Sequence, residues 1–157
     1  MTFFAVAVPT TALLVLLVGM AALAVVDLIR QEVDDWATGV LAIGTVVALF
    51  HDSISGAQWA QGLICAALVF ALYLELGTRG AMGGGDVKLS PIPALVLAVI
   101  HPLLALWSVA LAFSIQSGFQ LAVRPAFVGS PVALPHVPAM FLAAGVSAVV
   151  ARAVFGI

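Results

Sequence analysis

Long apolar stretches separated by short polar punctuation fill this chain from one end to the other. A helix rises about 1.5 Å per residue, so crossing a hydrocarbon layer of about 30 Å takes roughly 20 residues. Laid out on that measure, the pattern predicts six helical spans: Phe4–Val26, Trp36–Phe50, Ala57–Leu76, Val87–Ile100, Leu103–Val123 and His136–Ala151. Helices are the expected spanning form because lipid-exposed irregular backbone leaves polar groups unsatisfied. The second and fourth spans are short, at about 15 and 14 residues. Val87–Val123 is barely long enough for two crossings, and His101-Pro102 is the break within it. Proline ends the hydrogen-bond ladder and disfavours helix in the residue before it, so a tight hairpin is expected there.

Composition narrows the class. Of the 157 residues 64% are hydrophobic and only 8% charged, against about 25% charged in a soluble domain. Such a chain cannot cover itself with polar surface, and the lipid bilayer is its natural solvent. The expectation is an all-α integral membrane protein, one transmembrane domain over residues 1–157 with no soluble domain. The start, MTFFAVAVPTTALLVLLVGMAALAVV, lacks the basic region of a signal peptide and its apolar run is too long for one, so it reads as a retained first span. A net charge of −2 and the lack of a basic cluster give no reason to expect nucleic acid. The lone Cys65 cannot form an internal disulfide, and three scattered histidines make no zinc motif, so neither a cofactor nor a metal is expected.

The charges test the six-span layout. Arg30, Arg79, Lys88 and Arg124 all fall in connections on one side, and only Arg152 falls on the other. The positive-inside rule makes the richer side cytoplasmic. The opposite connections, HDSISG and HP, carry no lysine or arginine.

The seven acidic residues follow the same asymmetry: Asp27, Glu32, Asp34, Asp35, Glu75 and Asp86 lie near the cytoplasmic ends of spans, and Asp52 is the exception. Asp27 closes span one and Asp86 directly precedes span four, so the two reach one membrane level from different helices. Glu32, Asp34 and Asp35 read as solvated, with Asp34 and Asp35 capping span two. Glu75 is spaced to pair with Arg79 at i+4. Two carboxyl groups close together in a partly dry site cannot easily both ionise, and they share a proton. One is then a base and the other an acid, an asymmetry suited to peptide hydrolysis, and the rim of the membrane supplies the water.

The run GAMGGGDVKL places Gly83, Gly84 and Gly85 immediately before Asp86. Without Cβ atoms these residues permit close backbone approaches, either to an extended peptide or simply within a flexible turn. Lys88, two residues beyond Asp86, does not face it on a regular helix, which leaves headgroup anchoring or tuning of the carboxyl group. His136 reads as an interfacial cap of the last span or a substrate contact.

These residues resemble the type IV prepilin peptidases, GxGD-type intramembrane aspartic proteases. Gly83-Gly84-Gly85-Asp86 followed by Val-Lys-Leu is similar to their second active-site motif. Asp27, followed six residues later by Val33-Asp34-Asp35-Trp36, is similar to the first. Pro135-His136-Val137-Pro138, with Phe141 and Gly145, resembles the proline-rich start of their last helix. The likeness covers essentially the whole chain and departs at Asp34, where a proline is expected, and at His136-Val137, where Phe-Gly is expected.

The resemblance implies a membrane-embedded aspartic endopeptidase with Asp27 and Asp86 catalytic. It further implies that Gly83, Gly84, Gly85, Lys88, Asp35, Pro135 and Pro138 contact the substrate. Small size and the lack of a Cys-rich insertion resemble the compact branch serving Flp/Tad-type pili. The implied partner is a prepilin with a basic leader and a hydrophobic helix, cut at the cytoplasmic face of the bacterial inner membrane, without the N-methylation of larger members. Two other classes compete: a small proton- or cation-coupled transporter, which needs carboxylates along a transmembrane path, and a non-catalytic pilus assembly subunit, in which the aspartates only order loops. Cleavage lost on replacing either aspartate separates the peptidase from both.

Overall fold

The computed structural model describes residues 8–123 and 135–155. These form seven helices and no strand: α1 (Thr10–Arg30), α2 (Asp35–His51), α3 (Gly56–Thr78), α4 (Gly84–Leu89), α5 (Pro91–Ile100), α6 (Pro102–Val123) and α7 (Val137–Phe155). Among the described residues, α1, α3, α6 and α7 are long and apolar enough to cross a membrane, and α2, with 17 residues, is a shorter apolar helix. The protein is an all-α membrane protein.

Local chemistry sets the helix ends. α3 opens on a reciprocal capping box: Gln58 N–H donates to Ser55 Oγ at 3.3 Å and Ser55 N–H to Gln58 Oε1 at 3.0 Å. It closes on Gly80, whose φ of +73° is the left-handed conformation that glycine adopts without strain. α1 ends as Gln31 takes φ 54° and returns its N–H to the Asp27 carbonyl at 2.8 Å. The expected break at His101-Pro102 is present: His101 is extended, with φ −161° and ψ 133°, and α6 begins at Pro102.

The fourth span differs from expectation. Helix begins at Gly84 rather than Val87, and the segment is divided into α4 and α5 at Pro91, which has no N–H to continue the ladder. Every residue from Ile92 to Ile100 is buried. An apolar helix without a polar face belongs inside, and α5 is the centre of the bundle, touched by α1, α2, α3, α6 and α7. Gly62 lets α3 lie directly against it, since a Cβ there would stand 3.1 Å from the Leu95 carbonyl oxygen. The last carbonyls of α5 have no partner within the helix. Gln58 Nε2 donates to the Val99 carbonyl at 3.2 Å, and Gln61 Nε2 donates to that of Ala98.

The outer helices invert the pattern of a water-soluble bundle. Val18, Ile29, Val40, Ile43, Leu68 and Val149 are exposed on their outer faces. Apolar surface on this scale is at home against lipid tails.

The bundle has two chemically different ends. At one, the C-terminal ends of α1 and α3 meet the N-terminal ends of α2, α4 and α7. Arg30, Arg79 and Lys88 lie there with six of the carboxylates, and Arg152, near the end of α7, is at the other end. Arg124 lies outside the described residues. Glu75 and Arg79 form the expected i, i+4 pair at 2.6 Å. At the far end Asp52 stands alone among the acids. Its carboxylate accepts N–H groups of Thr11 at 3.3 Å and Ala12 at 2.9 Å, and so caps α1 from the end of α2, since the residue before α1, Pro9, offers no side-chain acceptor.

Candidate active site

Asp27 occupies the last turn of α1, on the face opposite the exposed Leu28 and Ile29, and is 5% exposed. A carboxyl group buried there needs a donor, and the main chain of α7 supplies one: Val137 N–H donates to Asp27 Oδ2 at 3.1 Å. That N–H belongs to the first turn of α7, where no carbonyl of the same helix can accept it. The contact therefore satisfies both partners and joins two helices.

Asp86 comes from α4, in the first turn after the glycines. Its carboxyl is half-buried and its pKa is pushed up to about 6. Burial is the larger cause, the negative charge of Asp27 the second, and a hydrogen bond from the Gly83 backbone opposes both. Asp27 and Asp86 therefore sense each other's charge, although 59 positions separate them in the sequence. They line one cleft of about 450 Å³ with Gln31, Glu32, Val33, Asp34, Asp35 and the three glycines.

The three glycines have different reasons to be there. Gly83 is the residue before α4, and a Cβ on it would stand 3.3 Å from Asp86 Oδ2, in the space the carboxyl group uses. Gly85 lies against the α1–α2 connection, where a Cβ would come within 3.2 Å of the Val33 Cβ. Gly84 faces open space. Gly84 and Gly85 are helical, so the run begins a helix rather than forming a flexible turn.

Lys88 has a partner within the protein. Its Nζ lies 2.6 Å from each carboxylate oxygen of Asp35, joining α4 to the start of α2. Asp35 lines the cleft and Lys88 does not. Asp34 occupies the residue before α2, but its side chain makes no capping hydrogen bond and lies 3.8 Å from Arg30. Pro135 and Pro138 flank the start of α7, both half-buried, and are not among the residues lining the cleft.

His136 is the largest departure from the sequence reading. It is 2% exposed, not interfacial, and its Nε2 lies 3.0 Å from the hydroxyl of Tyr73, while Nδ1 is against Oε1 of Gln116. Neither Tyr73 nor Gln116 was singled out by sequence reasoning. The signal available was a hydroxyl and an amide inside otherwise apolar stretches, since a buried polar group requires a partner.

Chemically, the cleft offers two carboxyl groups, from separate helices, at one wet end of a membrane bundle. One holds its proton into the mildly acidic range. No curated protein and no solved structure gives a match to this chain. The model of the type IV leader peptidase family matches it over residues 14–153, nearly its whole length, and spans both aspartates, the glycine run and the start of α7. The chain belongs to the type IV leader peptidase family.

Proposed function

We propose that this peptidase is an aspartic endopeptidase that removes the basic leader of Flp-type prepilins at the cytoplasmic face of the bacterial inner membrane. The observation that carries the reading is the shared cleft of Asp27 and Asp86, with Asp86 held protonated to about pH 6 by burial and by its neighbour. The anionic member of the pair takes a proton from water as the water oxygen bonds to the scissile carbonyl carbon. The protonated member donates to the carbonyl oxygen. As the resulting diol collapses and the C–N bond breaks, the carboxyl that now holds the proton gives it to the leaving amine and the other carboxylate takes the proton of a diol hydroxyl, which returns the pair to its starting state. Acid and base are properties of the pair, which titrates as a unit.

Orientation and substrate rest on charge. Arg30, Arg79 and Lys88 share the end that holds the cleft, which supports a cytoplasmic position by the positive-inside rule. Glu32 and Asp34 join Asp35 at its rim and favour a basic leader. The gathering of carboxylates at one end, rather than along the bundle, speaks for hydrolysis over ion transport.

Co-expression with a prepilin bearing a Lys/Arg-rich leader tests the reading by gel shift. The wild-type protein is expected to shorten the substrate, and Asp27→Asn and Asp86→Asn each to leave it intact while accumulating in the membrane. Normal processing by either variant would remove the aspartate pair from the mechanism.

A further inference from the structure

His136 and Val137, at the start of α7, make two separate contacts beside the candidate site. The main-chain route is the Val137 N–H on Asp27 Oδ2. The side-chain route starts one residue earlier, at His136. Its ring, the Tyr73 ring and the Phe113 ring are mutually packed, with centroids 5.4 to 5.7 Å apart. Within that packing the polar atoms are matched. A neutral imidazole has one donor and one acceptor, and an amide oxygen only accepts. With Gln116 Oε1 against Nδ1, the tautomer that satisfies both contacts carries its proton on Nδ1 and leaves Nε2 as the acceptor for the Tyr73 hydroxyl. With its proton directed at His136, the phenol turns its oxygen lone pairs away from the imidazole. Tyr73 belongs to α3, and α3 packs on α4, the helix that carries Asp86, where Gly77 lets Val87 approach closely.

We infer that His136 is a positioning residue for the aspartate pair, setting the start of α7 on Asp27 through the adjacent main chain and on the Asp86 side through Tyr73. The inference rests on the peptidase reading for its consequence and on hydrogen bonding and packing for its geometry. Two carboxyl groups share a proton usefully only at a fixed separation, and they reside on α1 and α4. The α7 start contacts Asp27 directly and, through Tyr73, the helix α3 on which α4 packs. Replacing the imidazole by an apolar ring leaves the Tyr73 hydroxyl without an acceptor in a buried place. It then rotates or draws water, and α7 moves with it. His136 does not line the cleft, so it acts through Tyr73 and Val137 and not on substrate.

The test compares His136→Phe with His136→Gln in membranes, kcat being normalised to folded protein measured by gel filtration in detergent. Misplacement of reacting groups by about 1 Å can cost about 10²-fold, so His136→Phe is expected to lower kcat by about 10- to 100-fold with little change in KM. His136→Gln offers an acceptor to Tyr73 and a donor to Gln116, and is expected to recover most of the loss. Wild-type kcat in His136→Phe, or equal losses in both variants, would overturn the inference.

An independent arm needs no cleavage. Tyr73 is the only tyrosine in the chain, so ring-labelled (13Cζ) tyrosine gives a single resonance in lipid nanodiscs. That resonance is expected to move in His136→Phe and, separately, in Asp86→Asn. A resonance unmoved by Asp86→Asn would overturn the link to that carboxyl. A wild-type protein that cuts no prepilin yet shows both shifts would sink the peptidase reading and keep the network.

Discussion

Asp27 and Asp52 are both aspartates at the C-terminal end of an apolar helix, and each accepts N–H from the first turn of another helix. Their surroundings make them opposites. Burial works against the Asp52 anion, but hydrogen bonds from the Thr11 hydroxyl and from the Ala12 and Thr11 backbones, with His51 beside it, outweigh burial and lower its pKa. No other Asp or Glu side chain among the described residues shares its end of the bundle. Asp27 has the single N–H of Val137 and, across a cleft, a second carboxyl group whose pKa its charge helps to raise. Residue type and helix position do not separate a capping aspartate from a candidate catalytic one. The number of donors and the presence of a like charge do.

The comparison breaks most sharply under amide substitution. Asp27→Asn or Asp86→Asn is expected to lower prepilin cleavage by about 10²- to 10⁴-fold, the usual span for losing a general acid or base, measured by substrate shortening in membranes. Asp52→Ala is expected to leave cleavage per folded molecule unchanged. It should lower stability by about 0.5 to 2 kcal/mol, the usual loss of an N-cap, read as a reduced melting temperature in detergent. Cleavage lost with Asp52 and kept without Asp27 would invert the assignment of the two ends.

Acid titration sharpens it next. Asp86 keeps its proton up to about 6, above the value of an unfolded aspartate near 3.8, so the folded chain binds the extra proton between these limits. Its contribution to stability is fully present below about 4 and is lost as the pH rises through about 6. Asp52 runs the other way: its contribution is present above its ordinary pKa and is lost as the pH falls through its lowered one. Cleavage that depends on the shared proton is expected to decline as pH rises past about 6. Asp27→Asn removes a negative neighbour and is expected to lower the Asp86 midpoint, measured by carbon NMR of labelled aspartate. An unmoved midpoint would show that the two groups are uncoupled.

The glycines give a smaller effect. Gly85→Ala sets a methyl group 3.2 Å from the Val33 Cβ and is expected to slow cleavage by disturbing the α1–α2 connection beside Asp27. Gly84→Ala meets nothing within 4 Å and lies in a helix, so it is expected to be neutral or to stabilise by up to about 1 kcal/mol. Paired thermal melts and cleavage rates measure the difference. Lys88→Ala comes last: its pair with Asp35 is exposed, and exposed ion pairs are worth at most about 1 kcal/mol, read in the same melts at low and high salt.

Much of this was readable from residues alone. Apolar run lengths gave the membrane class, and proline chemistry gave the His101-Pro102 hairpin. Charge placement gathered Asp27 and Asp86 with the basic residues at one end, because the solvent that surrounds each segment is dictated locally by its composition. The division at Pro91 was missed, although the proline was in view: a helix within a protein core can be short, so span length was a poor guide there. The pairing of Lys88 with Asp35 was not legible because the two lie 53 positions apart in sequence.

By itself, then, the sequence determined the solvent, the rough limits of most apolar segments, and which acids stand at which end. Each of these is a property of one segment and its immediate neighbours. Only the tertiary structure decided that α5 lies at the centre and that Val137 holds Asp27. It alone paired His136 with Tyr73, and left Asp52 a cap while Asp27 faces a second carboxyl. Those outcomes depend on which helix faces meet, and meeting is fixed by the packing of all seven helices at once.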